Sequence, residues 1–301
     1  MNLSESQCYT AFIDILGISD LIERNLPIAR DKLSLFHDHV RKFVSNSPSG
    51  LKQSVVFSDS LILVWENIDS AIDGCSQLFA EVYDSNGQFF QHYYGDQYKY
   101  RSLFLRGAIS EGTLELEDEV VSESSTQRFI IGSGLSRSAK GESLVKGSRL
   151  LLLGEWTALD HNLLSPVSLF PKAKISREIM WPLIKSAQFR NVDRFKWILS
   201  LCELYRTDPT SVSKHFRDTL WLLMRSLLQE QNLDVRELQE IITLFDQAKF
   251  IDIENGYWLP ILLCLAETIS KYPDLRSSYG LNVELSKLIY MYSSLALMEN
   301  R

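Results

Sequence analysis

Two aspartates occupy positions where a charged side chain is unusual. Asp14 interrupts the apolar run at residues 9–16, and Asp59 lies in a Ser-Asp-Ser turn between two aliphatic runs. A carboxylate among apolar residues is ordinarily paired, caps a backbone group or binds a cation. Taken singly, Asp14 is explained by a buried salt bridge and Asp59 by a routine turn. If their strands are neighbours, the two carboxylates converge. With a backbone carbonyl and substrate phosphates they then offer the oxygen ligands that Mg²⁺ or Mn²⁺ prefers.

The residues after Asp14 indicate a strand that turns directly into a helix. Gly17 permits a close approach of the backbone, and the N–H groups at the start of a helix can bind phosphate. Two acids on neighbouring strands, one of them followed by such a helix entry, favour a site for two divalent metal ions.

The elements that must position these residues alternate in the first half of the chain. Aliphatic runs on both sides of Asp59 predict a hairpin. Further along, a charged segment at residues 115–126 is expected to be mobile. The predicted strands are residues 9–16, 53–57, 61–65, 102–110, 128–131 and 149–153, and the predicted helices are residues 19–24, 29–45, 71–83 and 133–141. This order predicts an α+β fold, in which a central sheet carries helices on one face.

The pattern changes after about residue 170. Strand signals give way to amphipathic helical spacing, and Asp234 with Glu237 forms a capping box at the start of one predicted helix. We therefore expect two domains, a catalytic domain at residues 1–170 and an all-helical region at residues 171–301. The helical region could serve dimerisation, regulation or another accessory role, and its periodicity does not choose among them.

Composition excludes several functional classes. The 301 residues carry a net charge of −7, so a nucleic-acid partner is disfavoured and binding of a nucleoside triphosphate would need divalent metal. The four cysteines are scattered without a CxxC pair, which indicates reduced thiols and not a disulfide framework. No signal peptide is visible and no apolar run is long enough to cross a bilayer. We expect a cytoplasmic protein with no membrane partner.

Four segments together resemble a known family. Residues 12–19 (FIDILGIS) are similar to the first metal-binding motif of class III nucleotidyl cyclases, and residues 58–60 are similar to the second, with Ser58 in place of its glycine. Residues 105–112 resemble the family's R-x-G-I-x-x-G strand, and residues 131–143 resemble its transition-state helix. The resemblance covers roughly residues 8–155. It implies a class III cyclase-like domain with a ferredoxin-like βαββαβ core, followed by the all-α C-terminal region.

The resemblance also implies roles for individual residues. Asp14, Asp59 and the Ile15 carbonyl would hold two Mn²⁺ or Mg²⁺ ions. Lys140 or Arg137 would act on the transition state from the partner subunit, because the family works as a head-to-tail homodimer with composite sites. The implied nucleotide-binding residues are Phe12, Leu16, Gly17, Ile18, Ser19, Arg106 and Ser136. Each cation also has a plainer explanation: Arg106 could form a salt bridge at the strand edge, and Lys140 and Arg137 could be solvated.

Departures from the family pattern point to the substrate. Val55 and Ser133 stand where purine cyclases read the base, while Ser136 and Lys140 replace the transition-state Asn and Arg. This combination resembles the pyrimidine cyclases of bacterial Pycsar antiphage systems, which make cyclic UMP or cyclic CMP for a cyclic-nucleotide-binding effector protein. UTP is favoured over CTP. A purine cyclase and a catalytically dead cyclase-like module that binds nucleotide or dimerises remain open alternatives.

Overall fold

The computed structural model describes most of the first 183 residues and short parts of the remainder. The described ranges are residues 7–92, 102–122, 125–144, 147–154, 159–164, 176–183, 191–193, 195–196, 215, 218–219, 222–223, 226 and 235–248. The chain divides into two compact units, Met1–Gln188 and Phe189–Arg301. The domain boundary near residue 170 stays a prediction.

The first unit alternates strands and helices much as the sequence predicts. Its strands are β1 (Cys8–Ile15), β2 (Leu51–Phe57), β3 (Ser60–Trp65), β4 (Leu105–Gly112), β5 (Glu115–Ser122), β6 (Ser125–Ile131), β7 (Leu150–Leu153) and β8 (Ser176–Ile179). Its helices are α1 (Ile18–Arg24), α2 (Leu26–Ser45), α3 (Ile68–His92) and α4 (Ser133–Glu142), followed by a 3₁₀ turn at Trp181–Leu183. In the second unit, α5 spans Val235–Ala248.

The central sheet has the strand order β2-β3-β1-β4-β7-β8. Strand β1 is antiparallel to both β3 and β4, and β2 is antiparallel to β3. The first four strands therefore have the order 2-3-1-4 and the interleaved βαβ units of a ferredoxin-like core. The α+β class and the βαββαβ core are confirmed. Beyond that core, β7 pairs parallel with β4, and β8 closes the sheet antiparallel to β7.

Helices cover both faces of this sheet. On one face, Gly74 of α3 lies so close to Trp65 that a side chain at the glycine would overlap the indole ring. On the other face, Gly134 of α4 lies against Thr10 of β1. Because Trp65 pairs with Tyr9, and Tyr9 and Thr10 are successive strand residues, the two helices lie on opposite faces. The expectation of helices on one face is wrong, since α4 presents small residues that allow it to pack closely on the second face.

Aromatic side chains fill the layer between the sheet and helices α2 and α3. Phe36 and Phe43 of α2 are buried, and the Phe43 ring meets Trp65 edge-on at a centroid distance of 6.4 Å. At the other end of the layer, Tyr83 and Trp181 pack with their ring centroids 5.0 Å apart. Edge-on contacts between such large aromatic rings stabilise the sheet that carries the candidate site.

Two local expectations are corrected, and the capping box stays a prediction. Strands β5 (Glu115–Ser122) and β6 (Ser125–Ile131) pair with each other, where a charged mobile segment was expected at residues 115–126. Strand signals do not end near residue 170, because β8 at Ser176–Ile179 pairs with β7. In the second unit, the Glu237 carboxylate accepts a hydrogen bond from the Val192 backbone N–H at 3.0 Å. Asp234, the other member of the expected capping box, lies outside the described residues. Among the described helices, none has the length and apolar character to cross a membrane.

Candidate active site

The structure brings Asp14 and Asp59 together at one end of the sheet. Asp14 is the penultimate residue of β1 and lies opposite Ser60 of β3, while Asp59 is in the turn that precedes β3. The backbone N–H of Ile15 donates to the Asp59 carbonyl at 3.2 Å. The hairpin tip is therefore attached to the end of β1, and the two carboxylates are close enough to repel each other electrostatically.

The electrostatics of Asp14 are unfavourable without a cation. Burial, and then the negative charge of Asp59, raise the pKa of Asp14 from its ordinary value to about 6, although Arg106 opposes the shift. A desolvated carboxylate beside a second one favours either a proton or a bound cation. The pair is thus suited to hold positive charge.

A chain of ion pairs links Asp14 to helix α4. Arg106 of β4 lies directly opposite Asp14, with its Nη2 atom 3.5 Å from Asp14 Oδ2. The same guanidinium pairs through Nε with Glu142, a side chain only 7% exposed. Ser60 Oγ also donates to Asp14 Oδ1 at 3.4 Å. The salt bridge offered as the plainer explanation of Arg106 is present, and nucleotide binding by Arg106 stays a prediction.

The raised pKa of Asp14 predicts a stability change in the metal-free protein. The folded state holds the Asp14 proton up to about pH 6, whereas the unfolded chain releases it near its ordinary value, so stability falls as the pH rises through this window. Above it, ionised Asp14 destabilises the fold by about 2–3 kcal/mol. We expect Asp14→Asn to raise the melting temperature at pH 8 by several degrees.

The rise in melting temperature caused by Asp14→Asn should depend on pH. Calorimetry with a chelator present should show the gain falling by about half at pH 5, because most of the native wild-type protein is then protonated at Asp14. Asp31→Asn, at an exposed position on α2, is the matched control and should give little change at either pH. A gain at Asp14 that did not depend on pH would contradict the electrostatic explanation.

The helix entry after β1 is only partly free to bind phosphate. Gly17 adopts φ 73°, a left-handed conformation, and precedes α1 without any side chain capping the helix. The N–H of Leu16, however, donates to the Phe104 carbonyl at 2.9 Å. Leu16 is therefore a poor phosphate donor, whereas Gly17, Ile18 and Ser19 keep their predicted roles.

Three predicted site residues lie on the exposed side of α4. The helix buries Gly134, Ser138, Gly141 and Glu142 against the sheet. Its exposed positions include Ser136, Arg137 and Lys140. Arg137 donates to the Glu111 carbonyl at 3.2 Å. Within the described residues, no ion pair joins Arg137 or Lys140 to either aspartate, and their place in a site shared with a second chain stays a prediction.

The two positions that would read a purine are occupied by other contacts. Val55 and Phe12 are partly buried and pack against an apolar cluster that includes Ile62. The Ser133 hydroxyl accepts a hydrogen bond from the Thr113 backbone N–H at 3.1 Å. Val55 has no polar group to offer a base, and the Ser133 hydroxyl is hydrogen-bonded to the turn that follows β4.

Two residues next to the site were not assigned roles from the sequence. Glu142 lies within the recognised helix segment, but its pairing with Arg106 spans 36 positions. His37 of α2 donates from Nε2 to the Ser58 carbonyl at 2.8 Å, one residue before Asp59. Neither contact has a signature in local spacing, because both join elements that are distant in sequence.

The donor set fits a metal whose remaining ligands come from water and substrate. Among the described residues, no group of three His, Cys, Asp or Glu side chains could hold a metal ion. Mg²⁺ and related ions are commonly held by one or two carboxylates, with the remaining positions filled by substrate phosphates and water. Asp14 and Asp59 meet that requirement.

Several solved cyclase structures are similar to the chain. A bacterial light-regulated adenylyl cyclase is 15% identical with a TM-score of 0.42; the match covers 51% of this chain and 44% of that one, so the chain spans less than half of that protein's length. The guanylyl cyclase Cya2 is 12% identical with a TM-score of 0.45, covering 60% of this chain and 94% of its own. The adenylyl cyclase CyaB from P. aeruginosa is 14% identical with a TM-score of 0.44, covering 62% and 100% respectively. No protein-family profile and no curated protein matches the chain. At these identities and TM-scores, the likeness assigns neither a substrate nor an activity.

Proposed function

We propose that the chain is a class III-type nucleotidyl cyclase that converts a pyrimidine nucleoside triphosphate to its 3′,5′-cyclic monophosphate and pyrophosphate. The observation that carries the proposal is the convergence of Asp14 and Asp59, joined by the hydrogen bond from Ile15 to the Asp59 carbonyl. Two desolvated carboxylates at the end of a sheet suit a divalent cation bound together with a triphosphate.

In this proposal Asp14, Asp59 and the Ile15 carbonyl would hold two Mg²⁺ or Mn²⁺ ions. When bound, such ions lower the pKa of the ribose 3′-OH and offset the charge of the phosphates. In the reaction the 3′ oxygen bonds to the α-phosphorus, its proton passes to water, and the bond from that phosphorus to the pyrophosphate oxygen breaks.

The protein residues mainly orient the substrate and stabilise charge. The N–H groups of Gly17, Ile18 and Ser19 bind the terminal phosphates. Arg106, held at Asp14 when no cation is present, can exchange that carboxylate for a phosphate while Glu142 keeps it in place. Such fixed charges account for most of the catalysis expected in phosphoryl transfer.

A second copy of the chain completes the site. Ser136, Arg137 and Lys140 lie on the exposed face of α4. Lys140 or Arg137 neutralises charge on the α-phosphate bound by the other subunit. A two-fold dimer gives two such composite sites by symmetry.

The pyrimidine assignment is supported by the two base-reading positions. Val55 is committed to apolar packing, and the Ser133 hydroxyl is already bonded to Thr113. Neither position carries a charged side chain with which to read a purine. UTP is preferred to CTP on the resemblance alone. The same resemblance suggests a cytoplasmic role in antiviral defence, with the product bound by a separate effector protein.

A four-nucleotide assay tests the proposal. The purified protein is incubated separately with ATP, GTP, CTP and UTP in the presence of Mn²⁺, and the products are separated by chromatography. We expect cyclic UMP or cyclic CMP to form at least about tenfold faster than either purine product. Faster formation of cyclic AMP or cyclic GMP would support the purine alternative. Absence of any product at high enzyme concentration would support the catalytically dead module.

A further inference from the structure

The turn that carries Asp59 is held from two different elements. The Ser58 carbonyl lies 2.8 Å from Nε2 of His37 on α2, and the Asp59 carbonyl accepts the Ile15 N–H of β1 at 3.2 Å. A carbonyl oxygen can only accept, so Nε2 of His37 carries the proton.

These two bonds fix the direction of the Asp59 side chain. A peptide unit is planar, so holding the Ser58 oxygen also holds the Asp59 nitrogen, and holding the Asp59 oxygen fixes the following peptide. The two peptides flanking the Asp59 Cα atom are thereby oriented, and with them the Cα–Cβ bond. The direction of the Asp59 carboxylate is therefore set by the two peptide units that flank this residue.

The hydrogen bond from His37 acts at a strained residue. Ser58 has φ 53°, a left-handed conformation that residues with a Cβ atom adopt unwillingly. Without an external contact, this turn should relax toward ordinary backbone conformations. Glycine would adopt the same conformation without strain, and the bond from His37 compensates for its absence here.

We infer that His37 is a positioning residue for Asp59: its Nε2–H holds the strained Ser58 turn so that the Asp59 carboxylate faces Asp14. The consequence for metal binding rests on the proposed function, whereas the effect on the turn is a property of the metal-free chain. The two parts can therefore fail separately.

The experiment uses the full chain with four substitutions. His37→Ala removes the donor, and His37→Gln retains an N–H donor of similar reach. Ser58→Gly relieves the strain and is also combined with His37→Ala. Ser47→Gly, combined with His37→Ala in the same way, is the matched control, because Ser47 is also left-handed at φ 49° but lies in the loop after α2.

Two measurements are made without any turnover. Amide hydrogen exchange of Ile15 in the metal-free protein reports whether its bond to the Asp59 carbonyl opens more often. Calorimetric titration with Mn²⁺ alone reports how well the carboxylates are placed. For His37→Ala we expect exchange of the Ile15 amide to be about tenfold faster and Mn²⁺ affinity to be about tenfold weaker, the scale of outer contacts at metal sites.

The rescue pattern decides the inference. His37→Gln and the double variant with Ser58→Gly should return both quantities to within about threefold of wild type, and the double variant with Ser47→Gly should not. Unchanged Ile15 exchange in His37→Ala, or equal rescue by Ser47→Gly, would overturn the positioning role. If exchange responds as expected but no wild-type turnover is found with any nucleotide, the positioning role stands and the cyclase proposal fails.

Discussion

Replacing Asp14 or Asp59 by alanine is expected to lower cyclic-nucleotide formation by about a thousandfold or more. In the proposed reaction both carboxylates hold the divalent ions, whose charge stabilisation is worth several kcal/mol, and each 1.4 kcal/mol is tenfold in rate. Because Asp14 and Asp59 face each other at one end of the sheet, neither can substitute for the other's position. The measurement is initial-rate product chromatography with the preferred nucleotide and Mn²⁺.

The control for this loss is a carboxylate outside the site. Asp31→Ala on α2 removes one negative charge at an exposed position and should retain wild-type turnover. Melting curves establish that both site variants are folded, and Asp14→Ala is not expected to be less stable than wild type at pH 8, because its carboxylate is desolvated there. Turnover within about tenfold of wild type in either variant would contradict the metal-binding role of that residue.

Mixing two inactive variants is expected to restore activity if the sites are composite. One variant carries Asp59→Ala, and the other carries Arg137→Ala with Lys140→Ala. In a mixed dimer, the second chain supplies intact carboxylates and the first supplies an intact α4 face, so one of the two sites is complete. Random exchange makes half of the dimers mixed, and we expect about a quarter of wild-type activity per chain. The physical basis is that these cations lie on the exposed side of α4 with no ion pair to either aspartate within the described residues.

The matched control combines two variants that share a defective half-site. A mixture of Asp14→Ala and Asp59→Ala has no complete carboxylate pair in any dimer, so it should remain inactive. Activity in that control would show that the aspartates do not act together. Failure of the first mixture, with subunit exchange verified by a size or label assay, would rule out sites shared between chains.

Local patterns were enough to predict most of the first unit. The apolar run around Asp14 became β1, and the aliphatic runs flanking Asp59 became the β2–β3 hairpin. Helix α4 lies at nearly its predicted residues. These elements are predictable because their signals, hydrophobic periodicity and turn residues, lie in neighbouring residues of the sequence.

Elements that depend on distant partners were not predictable in the same way. Strand β8 contains two charged residues and was not predicted as a strand. Its Glu178 is nonetheless fully buried, because Arg149, the residue immediately before β7, pairs with it at 2.5 and 2.8 Å. A buried charge is tolerated when its partner is present, and that partner is 29 positions away. The contact of His37 with Ser58 was missed for the same reason.

The close packing of α4 on the sheet means that a substitution in one chain can affect the site of its partner. A Cβ atom at Gly134 would lie 2.9 Å from Thr10 Oγ1, and one at Gly112 would lie 2.7 Å from Gly134 Cα, so no layer of side chains separates helix from strands. Any larger residue at these glycines must lift α4 and, with it, the outward row of Ser136, Arg137 and Lys140. In the altered chain, a lifted α4 would also weaken the hold of Glu142 on Arg106 beside Asp14. In the proposed dimer, the neighbouring chain's site would lose the cations that α4 supplies, so one glycine substitution would affect both sites.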